Sequence, residues 1–152
     1  MSATAALPGP GHHPLVERLF VEFGYAEPQA EGFDAFAARA GHTLLFFVAD
    51  PQRVRETLDL AVIVPELAAA FPGRFAVGVL LPAVANPIAL RYGVRRWPAL
   101  VMLRDGQYVG AIEGVRDWDD YGRLVAQLLA AEPTAPPAIV LPPRPAPRDD
   151  DH

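Results

Sequence analysis

The sequence contains no cysteine. Disulfides, thiolate metal sites and thiol catalysis are therefore excluded together. Long apolar runs are also missing. Leu44–Ala49 and Phe75–Leu81 fall far short of the roughly 20 residues a membrane-spanning helix needs, so no membrane insertion is expected. The stretch from Met1 to Gly11 has no basic residue and no apolar segment of the kind a secretory signal carries. A cytoplasmic location is the resulting expectation. Positive charge is scarce too: the net charge is −5. That disfavours a nucleic-acid surface, where affinity comes from Lys and Arg neutralising phosphates. Histidine is sparse. His12 and His13 lie near the start, His42 precedes an apolar run and His152 is the last residue, and none has the spacing of a metal ligand set. No metal or cofactor is expected, and no internal repeat is present.

What is there divides the chain into three. Residues 1–13 are Gly/Pro-rich and without periodicity, as in a flexible leader. Residues 132–152 hold seven of the 17 prolines and end in Arg148-Asp149-Asp150-Asp151-His152, which predicts an extended or disordered, solvated tail. The folded domain is expected over residues 14–131.

Within it, Leu15, Val16, Leu19, Phe20 and Phe23 have helical spacing and Gly24 is a stop signal. A second short helix is expected over Phe33–Ala40. Leu44–Ala49 reads as a strand buried on both faces, ending at Asp50-Pro51. Leu58–Phe71 is helical but carries Pro65 in its interior. Phe75–Leu81 is a second buried strand, and Pro87–Tyr92 a short helix closed by Gly93. Ala99–Leu103 and Tyr108–Ile112 are strands joined through Asp105-Gly106, a strong hairpin signal. The last helix runs over Trp118–Ala131 with Tyr121, Leu124, Val125, Leu128 and Leu129 as its buried stripe and Asp117 as its N-cap. The order predicts an α/β fold: a central mixed sheet of about four strands flanked by helices, with a C-terminal β-hairpin and helix.

Three segments make the expectation sharper. The run from Arg91-Tyr92-Gly93 through Arg95-Arg96-Trp97-Pro98-Ala99 resembles the thioredoxin segment that holds a cis-proline, here Pro98. Arg104–Gly110 resembles the hairpin that follows it, and Val62–Leu67 the kinked helix after the redox site. The resemblance implies a thioredoxin-like fold over about residues 43–130. Where thioredoxin has its paired cysteines, this chain has Asp50-Pro51-Gln52-Arg53-Val54-Arg55-Glu56-Thr57. Thr57 is the one hydroxyl there. No histidine neighbours it in sequence, so it reads as a helix-start or surface hydroxyl rather than a nucleophile.

The cysteine-free core, the Ala49-Asp50-Pro51 strand end, the Pro14–Gly24 helix and the Gly114-Val115-Arg116-Asp117-Trp118 segment together resemble the HyaE/HoxO/HupG family of accessory factors for membrane-bound uptake nickel–iron hydrogenases. That resemblance implies a non-catalytic chaperone. Its partners would be the hydrogenase small-subunit precursor with its twin-arginine signal peptide, held back from premature export, and a second maturation chaperone.

Binding residues are expected in two groups. The loop of Arg95, Arg96, Trp97 and Pro98 should stand beside Asp50 and Pro51, forming a groove for an extended peptide. Trp97 is either an apolar wall of that groove or packing for the bend. Carboxylates for an arginine pair are available at Glu113, Asp117, Asp119 and Asp120, around Val115 and Trp118, and at Glu56 and Asp59 on the segment that replaces the redox motif, although Asp117, Asp119 and Asp120 also suit a helix N-terminus. Arg95 and Arg96 oppose a basic ligand and fit carboxylates of the precursor or of a second chaperone. A cysteine-free enzyme on the same scaffold, such as a transferase, and an architectural interaction module are the competing readings.

Overall fold

The computed structural model describes residues 13–138. The expectations for residues 1–12 and 139–152 lie outside the described residues.

The chain opens on helix α1 (Pro14–Val21), whose start is set by local chemistry. His13 Nδ1 accepts from the Leu15 N–H at 3.1 Å, and Pro14 takes the first helical position, where its missing N–H costs nothing. Gly24, with φ at +64°, turns the chain out of the helix. A 3₁₀ turn (Ala30–Gly32) leads into α2 (Phe33–Ala37), which is shorter than the Phe33–Ala40 span expected from its apolar face. Then follow β1 (His42–Phe47), α3 (Glu56–Ala70), β2 (Ala76–Leu80) and α4 (Pro82–Arg91). The chain ends in β3 (Ala99–Arg104), β4 (Gln107–Glu113) and α5 (Trp118–Ala130). Pro65 lies inside α3 without ending it. Helix α4 begins five residues before the position expected for it, because Pro82, not Pro87, is its N-terminal proline.

The four strands form one sheet in the order β2-β1-β3-β4. β1 and β2 are parallel, joined by the α3 crossover, while β3 is antiparallel to β1 and to β4. Asp105 (φ +52°) and Gly106 (φ +83°) are both left-handed, the pairing a tight two-residue hairpin turn requires.

Period-two alternation along the strands splits the core into two layers. Leu44, Phe46, Val79, Leu100, Met102 and Ile112 face α1, α3 and α5. Leu45, Phe47, Leu80, Val101 and Leu103 face α2 and α4. These are the fully buried strands read from the continuous apolar runs; each such side chain contributes about 1.5–3 kcal/mol on leaving water. Gly78 on β2 admits the ring of Phe36, whose tip would overlap a Cβ placed there.

After α5 the chain does not leave the domain at once. The Thr134 N–H donates to Tyr108 O at 2.9 Å on the outer edge of β4, and Glu132 pairs with Arg104 at 3.5 Å. Pro137 lies against Gly93, at the end of α4. Residues 132–137 therefore pass as a strap from the α5 face of the sheet, round its edge, to the other face.

Candidate functional site

One end of the sheet carries nearly all of the chemistry. Register places Leu80, Phe47, Ala99 and Glu113 in a single row across the four strands. Just beyond that row lie Asp50 and Pro51 after β1, Trp97 and Pro98 before β3, and Asp117 and Trp118 after β4. Glu56 and Asp59 belong to the first turn of α3, which follows the Asp50 turn. All eleven residues singled out from sequence are thus gathered round one end of the sheet, but in three separate groups.

The first group is the groove. The Trp97–Pro98 peptide is cis, and Pro98 is buried, its carbonyl accepting from the Gly114 N–H at 2.8 Å. Trp97 is half-buried and meets Phe47 edge to face at 6.0 Å between ring centroids. Its outer face lines a cavity of about 420 Å³ with Ala49, Asp50, Arg53, Val54, Pro82, Ala83 and Asn86. Packing and lining are both roles of this one ring. Among the described residues, none hydrogen-bonds the Trp97 backbone N–H or carbonyl. The Asp50 carboxylate is already engaged: Oδ1 accepts from the Gln52 N–H at 3.0 Å, and the Asp50 carbonyl accepts from the N–H groups of Arg53 and Val54. Asp50 thus holds the tight turn that stands where a redox motif would be. Pro51 is buried and unavailable to a ligand.

Thr57 stands at a helix start, in the first turn of α3, but not at the surface: it is fully buried, and its Oγ1 has no hydrogen-bond partner among the described residues. It sits on the same helical stripe as Leu60, Ala61 and Val64, which all face the core. A hydroxyl sealed from solvent is out of reach of a substrate as a nucleophile.

The second group is basic. Arg95, Arg96, Glu113 and Arg116 line a cleft of about 430 Å³. Glu113 Oε2 accepts from the Arg95 backbone N–H at 2.9 Å, and Arg116 Nε donates to the Glu113 carbonyl at 3.3 Å. Glu113 is thereby committed to its own chain and set among guanidinium groups, an unsuitable partner for an incoming arginine.

The third group joins acids to apolar surface. Asp117 holds the N-cap position of α5, yet its side chain makes no capping hydrogen bond, contrary to the sequence expectation, and it is exposed. Val115 and Trp118 beside it are 41% and 44% exposed. The buried Tyr121 ties this loop down: its hydroxyl donates to Gly114 O and accepts from the Arg116 N–H, both at 3.1 Å. Burial pushes the Tyr121 phenol above its ordinary range; the Arg116 N–H bond and charge oppose that shift, and the nearby Asp59 carboxylate adds to it. Asp59 itself is exposed in the first turn of α3. Glu56 and the exposed Val62 lie one turn to either side of it along α3. Asp119 is exposed, whereas Asp120 pairs with Arg123 at 2.7 Å.

A more voluminous cavity, about 770 Å³, lies elsewhere, near the hairpin turn at the opposite end of the sheet, and the Tyr92 and Tyr108 rings and the strap residues Pro133–Pro136 line it. Of its charged groups, Arg91 pairs with Asp34 at 2.7 Å, and Asp105 accepts from the Gly41 N–H at 2.7 Å. Sequence reading missed this cavity because the strap that walls it shows only as a proline-rich run. His42 is the first residue of β1, half-buried, with Nε2 sealed and without a hydrogen-bond partner among the described residues. Among the described residues, no group of three or more His, Cys, Asp or Glu is gathered to hold a metal, and no helix is long and apolar enough to cross a membrane.

Comparison with known proteins agrees with this architecture. A mutant thioredoxin from Halobacterium salinarum superposes with a TM-score of 0.56 at 28% identity, over 72% of this chain and 92% of that one. The family model described as "Hydrogenase-1 expression protein HyaE" matches residues 15–121. Hydrogenase expression/formation protein HoxO from Cupriavidus necator is 40% identical over 85% of this chain and 81% of its own length. HoxO from Azotobacter vinelandii is 40% identical over 79% and 80%, and HupG from Rhodobacter capsulatus 38% over 79% and 88%. The chain belongs to the HyaE family of hydrogenase expression proteins.

Proposed function

We infer that this protein is a non-catalytic, cytoplasmic holder of a hydrogenase small-subunit precursor, and that it grips the precursor's twin-arginine signal peptide until assembly is complete. The observation that carries the reading is the third group of residues. Glu56 and Asp59 are exposed on α3 with the exposed Val62, and Asp117 is exposed at the start of α5 between the exposed Val115 and Trp118, both at the same end of the sheet. A signal peptide that puts paired guanidinium groups next to an apolar segment is complementary to both parts, since Arg is best met by carboxylates and the apolar segment by Trp and Val. The Trp97 groove supports the same reading. Its unpartnered backbone N–H and carbonyl suit strand addition by an extended peptide, and the absence of cysteine means that such a peptide is released without a mixed disulfide. A second maturation chaperone would then act on the held precursor.

The test is co-purification with the precursor and its affinity in solution. Asp59→Asn/Asp117→Asn should weaken binding at least ten-fold with melting temperature unchanged. Trp97→Ala should lower affinity as well as stability; lost stability with unchanged affinity would leave Trp97 a packing residue only. Precursor binding that is equally tight after deletion of the signal peptide sinks the reading.

A further inference from the structure

The arginines of this protein are unevenly partnered. Arg18, Arg91, Arg104 and Arg123 each have a carboxylate oxygen within 4 Å. Arg95, Arg96 and Arg116 have none among the described residues, yet these three line one cleft, with Glu113 as its single acid. Three guanidinium charges against that one carboxylate leave a local excess of two positive charges, in a protein whose net charge is −5.

The cleft is also anchored. Glu113 ties one wall through its side chain, which accepts from the Arg95 N–H, and the other through its carbonyl, which accepts from Arg116 Nε. The Arg116 backbone N–H is held in turn by the hydroxyl of the buried Tyr121. The guanidinium groups therefore project from fixed loops, which lowers the ordering cost of binding.

We propose that the Arg95/Arg96/Arg116 cleft is a carboxylate-binding site that takes an acidic segment of the polypeptide this protein holds. Carboxylate fits better than phosphate: Glu113 opposes a dianion more strongly than a monoanion, and no glycine-rich loop offers backbone N–H groups to the cleft. A nucleic acid is disfavoured because Asp117 and Asp119 lie within three residues of Arg116 and would repel a continuous phosphate backbone. The same adjacency links the cleft to the acidic, apolar face. At about 3.3 Å per extended residue, a chain lying over Trp118 and Asp117 enters the cleft within a few residues. The held polypeptide would then present basic, apolar and acidic segments in close succession. The proposal takes the identity of that polypeptide from the function inferred above; the chemistry of the cleft does not depend on it.

The test uses the full chain and the blocked, fluorescein-labelled peptide Gly-Asp-Glu-Asp-Gly at low ionic strength, with binding read by anisotropy. Saturable binding is expected, weakening as salt is added. Arg95→Gln/Arg96→Gln should weaken it at least ten-fold, Glu113→Gln should tighten it several-fold, and Arg74→Gln, at the other end of the sheet, should leave it unchanged. Should the double Gln variant fail to fold, Arg95→Lys/Arg96→Lys keeps the charge while losing the planar fork, and a several-fold loss is expected. Equal affinity in the arginine variants, or equally tight binding of Gly-Lys-Arg-Lys-Gly, overturns the proposal. Failure of the signal-peptide reading is separate: it shows as precursor binding indifferent to Asp59→Asn/Asp117→Asn.

Discussion

Replacing Thr57 with valine should make this protein more stable. The Thr57 hydroxyl is sealed in the core among Leu60, Ala61 and Val64, with no hydrogen-bond partner among the described residues. In the unfolded chain water satisfies it, so folding loses that bond and gains none, at a cost of about 1–3 kcal/mol. Valine fills nearly the same volume, leaves no cavity and is β-branched like threonine, so helix propensity changes little. A gain of about 1–2 kcal/mol remains. With an unfolding entropy of about 0.25 kcal/mol/K for a domain of this size, that is a rise of roughly 4–8 °C in Tm. Differential scanning calorimetry and urea titration both read it. Thr57→Ser is the control: it keeps the hydroxyl, drops the methyl and should lose about 1 kcal/mol. Since Thr57 touches no solvent, precursor affinity should be the same in both variants. A Tm for Thr57→Val that is unchanged or lower would mean the hydroxyl has a partner, such as an enclosed water, and the reasoning fails.

Tyr121→Phe removes the two hydrogen bonds that hold the Gly114–Arg116 loop and should cost about 1–2 kcal/mol in urea unfolding. It should also weaken binding of the acidic peptide, because Arg116 loses its anchor; unchanged peptide affinity would separate the loop from the cleft. Gly78→Ala drives a methyl into the Phe36 ring and should cost about 1–3 kcal/mol. In a Phe36→Ala background that penalty should largely vanish, and a penalty of the same size there would place the strain elsewhere. His42 is held below its ordinary pKa of 6.5 by burial first, then by Arg104 and Arg74. As pH falls through 6.5 the unfolded chain takes up the proton before the folded one does. Stability should therefore drop below pH 6.5 and level off once the folded imidazole titrates. A His42 ring titrating at or above 6.5 by NMR would contradict this.

Much of the architecture was legible in residue order because it rests on local rules. Leu44–Phe47 and Val77–Leu80 read as buried strands because both sheet faces are covered, and Asp105-Gly106 read as a hairpin because both residues must be left-handed. The helix stop at Gly24 follows the same logic. The misses have long-range causes. Proline fits a helix start, and the helix was begun at Pro87 although Pro82, five residues earlier, takes that position in α4. Thr57 was placed by its polarity, although its spacing from Leu60, Ala61 and Val64 already put it on the buried stripe. Asp117 occupies the cap position without capping, a matter of rotamer that spacing does not encode. For the site, sequence identified residue types but not their grouping. That Glu113 sits among Arg95, Arg96 and Arg116 follows from pairing between β3 and β4, and it turns an assumed arginine acceptor into the brace of a basic cleft.

The strap from Glu132 to Pro137 has a consequence for solubility. β4 is the last strand of the sheet, and an exposed strand edge is a template on which a second molecule can pair. Thr134 occupies that edge at Tyr108, and the prolines around it have no N–H with which to extend the ladder outward. The segment thus acts as a fender against edge-to-edge self-association. A truncation after α5 that discards only proline-rich chain would strip it away, and the shortened protein would become sticky through a strand whose own residues are all still present.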